Sequence, residues 1–430
     1  MNVKLLHPAD QIVMIMNRIY TCGMTTTSGG NLSILDDNGD VWISPGSVDK
    51  GTLTRRDIIC VKQDGTMLGP HKPSCELPFH QTIYRMRPDV RAVMHAHPPA
   101  LVAFSLVRRI PNTRILPSAF AACGEPGMAP YAVPGSAELG EKIAAVFAKG
   151  YDMVMLENHG AVVAKPDLFQ AFAAFETLDF CARAEMDAVR IGTPVALDDA
   201  ALARWQAARA GKPEEFAPTG HSSAENDARR EMAALIQRSY EQRLFTSTQG
   251  TISVKLDDDS FLIMPRGMDR RYLTVEDLVV VRAGKAEAGK TPCAMTPLHT
   301  AIYAAQPHVR SVITAQPPNL MAFAVTGAPM DSRTIPESYI MLRNVQRLPF
   351  AAGFEGVEQT ARVFRPSTPV ALIANNCAVA TGTSMINAFD RLEVGEYSAK
   401  AIIATGGLGK LVAITDDQVK EIDVAFGLEN

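Results

Sequence analysis

A chain that repeats itself at long range has to fold as copies of one unit, and this chain is written twice. Displaced by 219 residues, HQTIYRMRPDVRAVMHAHPPALVAF (His80 to Phe104) overlays HTAIYAAQPHVRSVITAQPPNLMAF (His299 to Phe323) without a gap. Ile83 falls on Ile302, Tyr84 on Tyr303, Pro88 on Pro307 and Arg91 on Arg310. The match continues outward in the same order. SGGNLSI (Ser28 to Ile34) meets TQGTISV (Thr248 to Val254), APYAVPG (Ala129 to Gly135) meets LPFAAGF (Leu348 to Phe354), and NHGAVVA (Asn158 to Ala164) meets NNCAVAT (Asn375 to Thr381). At 430 residues the chain has room for two domains of about 200 residues each. Each copy is long enough to enclose its own core.

Between the copies, PVALDDAALARWQAARAGKPEEFAPTGHSSAEND carries Pro, Gly, Ala and charge with no sustained apolar face. It reads as a short helix around Trp205 followed by a linker. The expected organisation is a first domain over 1–205, a linker over 206–223 and a second domain over 224–430.

Inside the first copy, residues 8–22 and 167–190 have helical periodicity. NLSILDD and DVWISPG read as two strands joined at DDNGD. RAVMHAHPP reads as a strand stopped by two prolines, and DMVMLENHGAVVA as two apolar runs meeting at a turn. Alternating helices and strands predict an α/β fold, with helices on both faces of one sheet.

The totals exclude several functions. A net charge of −4 without a long basic run argues against nucleic acid. The first twenty residues read as an amphipathic helix, not a signal peptide, and no apolar run approaches the roughly 20 residues that span a bilayer. The seven cysteines are scattered and show no CxxC spacing, so neither a disulfide framework nor a zinc knuckle is expected. A cytoplasmic setting follows from that cysteine usage.

The two copies differ where chemistry could sit. His95 and His97 are two apart on a strand, so both imidazoles face one side at the strand's end. Imidazole is a common ligand of zinc, manganese and iron. His159 lies in ENHGAV, where Gly160 allows a tight turn, and would complete a three-nitrogen set. Glu76 is placed in the first turn of a helix capped by Ser74, where it either favours the helix dipole or serves as ligand or general base. In the second copy Glu76 becomes Met295, His95 Thr314, His97 Gln316 and His159 Asn376. All four are lost together while the apolar frame persists, as expected of an abandoned site. His80 persists as His299 and is therefore read as a packing residue.

GGNLS, WISPGSVD, KPSCELPFHQTIYRMRPDVRAVMHAHPP, APYAVPGSAEL and ENHGAVV together resemble the class II aldolase/adducin family, the fuculose-1-phosphate aldolase-like enzymes, over roughly residues 8–190. The second half resembles the same fold with its site erased. The resemblance implies two tandem three-layer αβα sandwiches and a divalent metal on His95, His97 and His159, with zinc first and manganese or iron also suitable. The metal would polarise a carbonyl and hold an enediolate or enolate, with Glu76 as ligand or general acid/base. Gly30, Asn31, Ser44, Gly46 and Ser74 match the family's anion pocket.

Two departures, Ser74-Cys75 in place of paired hydroxyls and Gly46-Ser47 in exchanged order, argue against a phosphorylated substrate. They suit the family's decarboxylases of hydroxylated aromatic or heterocyclic acids. Tyr131 matches a catalytic proton donor that works across a subunit boundary. Family members often form fourfold rings, so a homodimer forming a pseudo-tetrameric ring is expected, in which each metal site would face Phe350. The implied activity is a metal-dependent lyase, by retro-aldol cleavage or decarboxylation, on a small hydroxy- or oxo-carbonyl compound or a hydroxylated aromatic acid. The alternatives are an adducin-like scaffold without chemistry, and a sugar-phosphate epimerase or dehydratase.

Overall fold

A computed structural model describes residues 5–428. Residues 1–4 and 429–430, which the expected amphipathic N-terminus and domain limits include, lie outside the described residues. The elements of the first half are α1 (Pro8–Thr21), β1 (Asn31–Leu35), β2 (Val41–Ile43), β3 (Ile59–Val61), β4 (Met67–Leu68), α2 (Leu77–Met86), β5 (Ala92–Ala96), α3 (Pro99–Leu106), α4 (Pro117–Cys123), β6 (Gly127–Ala129), α5 (Ala137–Phe147), β7 (Met153–Leu156), β8 (Ala161–Lys165) and α6 (Leu168–Ile191). The middle of the chain supplies α7 (Asp199–Ala208), around Trp205 as expected, and β9 (Glu215–Phe216). The second half holds α8 (Ser223–Glu241), β10 (Thr251–Lys255), β11 (Ser260–Ile263), β12 (Val279–Arg282), β13 (Lys285–Glu287), α9 (Thr296–Ala305), β14 (Ser311–Ala315), α10 (Pro318–Thr326), α11 (Pro336–Leu342), β15 (Gln346–Leu348), α12 (Val357–Ala361), β16 (Val370–Ile373), β17 (Cys377–Gly382), α13 (Met385–Thr405) and α14 (Asp416–Phe426).

Two sheets result, of the same design. The first runs β4-β3-β2-β1-β5-β8-β7-β6, and the second runs β15-β16-β17-β14-β10-β11-β12-β13-β9, the same order read backwards with β9 added. In the first sheet all neighbours are antiparallel except β6 and β7. Successive strand side chains face opposite ways, and here both faces are covered. Val41, Ile43, Val93 and Val162 pack with Phe79 and Ile83 of α2 and with Ile143 and Phe147 of α5. The oppositely directed Leu32, Met94 and Val163 are equally buried, on the side where α1 packs on β1 and β2. Each half is thus the expected αβα sandwich.

The compact units divide the chain differently from the repeat. One comprises 1–113 and 119–182, and the other 114–118 and 183–430. The expected linker is part of the second unit, because Glu215 and Phe216 pair in parallel with Ala286 and Glu287 as an edge strand. Polar linker composition says nothing about backbone hydrogen bonding, which any sequence can supply at a sheet edge. Among the described residues no helix is long and apolar enough to cross a membrane.

Candidate metal centre

The site forms where β1 begins and β5 ends, beneath the start of α2. Asn31, Ser33 and His95 share the strand face that looks toward α2, and Asn31 stands directly opposite His95 in the ladder. β5 stops at Ala96 because Pro98 and Pro99 follow, which leaves His97 just past the strand's end. His159 sits in the turn between β7 and β8. The left-handed residue of that turn is Asn158 (φ 55°), not Gly160 as expected. Gly160 is needed for space: a Cβ there would lie 2.6 Å from both the Ala96 carbonyl oxygen and Cδ2 of His97.

Three imidazoles converge. The ligand nitrogens of His95, His97 and His159 all lie within 4.8 Å of one another, with the Nε2 atoms of His95 and His97 2.9 Å apart. Nδ1–H of His95 donates to the Ala161 carbonyl (2.9 Å), which assigns the proton to Nδ1 and turns the Nε2 lone pair into the cluster. Burial, reinforced by His159, pushes the pKa of His95 down to about 3. Burial, then His95 and His159, does the same to His97. His159 is also lowered by burial, against the opposing pull of Glu76. All three are therefore neutral ligands at neutral pH.

Glu76 completes the set. Its Oε2 accepts from Asn31 Nδ2 at 2.6 Å and lies 3.5 Å from His95 Nε2. Its Oε1 is 3.9 Å from His159 Nε2, buried and without a hydrogen-bond partner. A buried carboxylate beside a cluster of neutral imidazoles is a costly arrangement unless a cation joins them. The donor set fits a divalent metal such as zinc, manganese or iron.

Glu76 occupies the N-cap position of α2 rather than its first turn. Ser74 is not the cap; its Oγ accepts from the Glu76 amide at 3.3 Å. Pro78 in the second helical position forces the helix to begin only at Leu77.

His80 is fully buried behind the site. Its Nε2–H donates to Asn31 Oδ1 and its Nδ1 accepts from Ser33 Oγ–H (2.6 Å), while Ser33 also bonds the Tyr84 hydroxyl (2.6 Å). The expectation that His80 is no ligand agrees with this geometry. It reaches the site through Asn31, whose carbonyl it engages so that the amide points at Glu76.

The ligands open onto a cleft of about 660 Å³ lined by Gly30, Asn31, Gly46, Ser74, Glu76, His97 and His159 among others. Three expected site residues do not line it. His95 is fully buried, with Nε2 reaching the cluster beside His97. Ser44 is fully buried, with Oγ accepting from the Leu32 amide (3.1 Å) of the neighbouring strand β1. Tyr131 is 52% exposed and outside the cleft. Lys50 was missed: it lines the cleft, almost wholly buried, with Nζ donating to the Pro45 carbonyl, and burial lowers its pKa. The signal for it was Arg270 at the equivalent position of the second copy, a cation kept in both.

The second copy keeps the scaffold and loses the donors. Ser253 still joins His299 Nδ1 (2.7 Å) and the Tyr303 hydroxyl (2.6 Å). Thr251 replaces Asn31 opposite Thr314, and its hydroxyl turns to Cys293 Sγ (2.8 Å). His299 Nε2 is left buried without a partner.

Known proteins resemble the chain in sequence. The Class II Aldolase and Adducin N-terminal domain matches twice, over residues 10–186 and 230–403. A 5-deoxy-D-ribulose 1-phosphate aldolase of Bacillus thuringiensis serovar kurstaki is 32% identical over 197 residues, 44% of this chain and 89% of that protein. A 3-oxo-tetronate 4-phosphate decarboxylase of Haemophilus influenzae is 31% identical over 180 residues, 40% of this chain and 84% of its own length. Among solved structures, YgbL of Klebsiella pneumoniae, described as a putative aldolase/epimerase/decarboxylase, is 29% identical and covers 41% of this chain and 86% of its own, with a TM-score of 0.39. With both halves matched over most of their length, the chain belongs to the class II aldolase and adducin N-terminal domain family.

Proposed function

We propose that the chain is a divalent-metal-dependent carbon–carbon lyase whose chemistry resides in the first half. The observation that carries this reading is the cluster of His95, His97 and His159 beside Glu76, whose Oε2 lies 3.5 Å from His95 and whose unpartnered Oε1 lies 3.9 Å from His159. A metal bound there, zinc foremost, supplies Lewis-acid stabilisation of the negative charge that carbon–carbon cleavage leaves on a carbonyl oxygen. Glu76 moves the proton. In retro-aldol cleavage it removes the proton of the hydroxyl on the carbon being released. In decarboxylation it returns a proton to the carbon that has lost carbon dioxide. Asn31 holds Oε2, which leaves Oε1 without a hydrogen-bond partner of its own.

The substrate is a small hydroxy- or oxo-carbonyl compound with an anionic end. Lys50, Gly30, Gly46 and Ser74 line the part of the cleft assigned to that anion. Lys50 offsets the missing second hydroxyl that argued against phosphate, and the two relatives named above act on phosphorylated compounds by their names. A homodimeric, ring-like assembly in which Phe350 faces the metal site remains part of the proposal.

The test is Glu76→Gln in metal-loaded protein, assayed separately for released aldehyde and for carbon dioxide. The expected result is unchanged metal content with turnover lowered about 10²–10⁴-fold. Turnover equal to wild type would remove Glu76 from the chemistry. Aldehyde or carbon dioxide as the product decides between the two cleavages.

A further inference from the structure

The erased site of the second half is not filled by apolar side chains. It is a cavity of about 50 Å³, lined by three arginines (Arg209, Arg266 and Arg270) and by no carboxylate. Arg209, at the end of α7, stacks over the Trp205 ring at 4.3 Å and so brings the linker helix to the cavity wall. Arg266 stands where the first half has Gly46, and Arg270 where it has Lys50. Positive charge has thus been added where the metal donors were removed.

Arg266 and Arg270 hydrogen-bond to neutral carbonyls, while the Asp269 carboxylate beside Arg270 pulls its pKa up against the effect of burial. Arg266 Nη1 donates to the Arg209 carbonyl, and its Nε is buried without a partner. Arg270 donates to the carbonyls of Gly250 (3.2 Å from both Nε and Nη2) and Met268 (2.6 Å). The nearby Asp269 carboxylate accepts from the Arg271 amide and does not line the cavity. Two further donors at the wall, Asn376 Nδ2 and Thr248 Oγ1, are buried and unpartnered, and Asn376 is only 4% exposed. Like charges buried without a counter-ion carry a desolvation cost of several kcal/mol per ion in general. Burial holds both Arg209 and Arg270 below the ordinary guanidinium range. The missing element in this arrangement is an anion.

We propose that the second half binds a small oxyanion among Arg209, Arg266 and Arg270, with Asn376 and Thr248 as neutral donors. Size sets the class. One water needs about 10–15 Å³ of such space, so a cavity of about 50 Å³ accepts a group of a few heavy atoms, not a whole sugar phosphate. Phosphate, sulfate and a compact carboxylate share the required chemistry, and planar guanidinium forks suit all three. The second half then acts as an anion receptor, separate from the lyase site.

The experiment titrates the full-length, metal-loaded protein with inorganic phosphate, sulfate and acetate at constant ionic strength, read by calorimetry. The variants are Arg266→Gln, Arg209→Gln and, as control for the first-half cleft, Ser74→Ala. Wild type and Ser74→Ala are expected to bind at least one anion saturably. Arg266→Gln and Arg209→Gln are expected to weaken that binding about 10–100-fold, the effect of losing a charge-assisted contact. Preference for phosphate and sulfate over acetate identifies a tetrahedral ligand, and the reverse identifies a carboxylate. No saturable binding in wild type, or binding unchanged in Arg209→Gln, overturns the proposal. Arg209 is half-buried at a helix end and keeps the test valid if Arg266→Gln fails to fold.

Discussion

Asn31 and His95 face each other across the β1/β5 ladder, and both address the same oxygen of Glu76, Asn31 at 2.6 Å and His95 at 3.5 Å. One rung of the sheet therefore aligns a ligand and the amide that orients the carboxylate. The second half holds Thr251 and Thr314 on the equivalent rung. Asn31→Thr, which copies the second half, is expected to leave the three imidazoles in place and to free Glu76. Turnover should fall about 10–100-fold, in line with loss of an outer-shell partner of a metal site, with metal content above half of wild type. Metal analysis beside steady-state kinetics checks this, and loss of metal in parallel with activity would make Asn31 a scaffold residue.

Metal content should reach one divalent ion per chain, not two, because the second half has Thr314, Gln316 and Asn376 in place of imidazoles. Chelation followed by dialysis should abolish activity, and added zinc or manganese should restore it. His97→Ala should bind less than about a tenth of the wild-type metal, since two imidazoles and a carboxylate lose the three-nitrogen set. Elemental analysis of the purified variant provides the readout, with circular dichroism expected to match wild type.

Tyr131 is exposed and does not line the cleft, and Phe350 stands at its place in the second copy. In a ring of alternating halves, the residue facing each metal site is Phe350. Tyr131→Phe should then keep kcat within about twofold, far below the effect of losing an acid or base. Turnover measured with the oligomeric state held constant tests the arrangement, and a large loss would place Tyr131 at a working site.

His299 gives the second half an acid-sensitive group of its own. Burial brings its pKa from 6.5 down to about 3. The unfolded chain therefore takes up a proton that the folded chain refuses. The stabilising effect is complete above pH 6.5 and is lost as the pH falls toward 3, at up to about 1.4 kcal/mol per pH unit. Between pH 7.5 and 5.0, urea unfolding of wild type should lose about 2 kcal/mol more than that of His299→Asn. Equal losses would show that His299 is protonated without unfolding.

The strands and the ligand trio were legible because a two-residue period and a duplicated frame each left a direct record. Comparing the copies separated His95 and His97 from His80 without any coordinates. What remained hidden depended on which way a small group turns. Ser44 and Ser74 are both serines beside the cleft, but Ser44 spends its hydroxyl on the Leu32 amide while Ser74 faces the cavity. The turn at His159 takes its positive φ at Asn158, since asparagine tolerates that region and Gly160 is held for clearance of His97. The retained cation at Lys50 and Arg270 was visible in the alignment, but its burial was not.

The linker's membership of the second sheet bears on how the molecule can be dissected. A second-half fragment begun at residue 224, where the repeat resumes, would discard α7 with Trp205 and Arg209. It would also strip β9 from β13 and leave a bare sheet edge, a template for aggregation. A fragment begun ahead of Asp199 keeps both pieces, and its yield as a monodisperse protein would mark the true start of that unit.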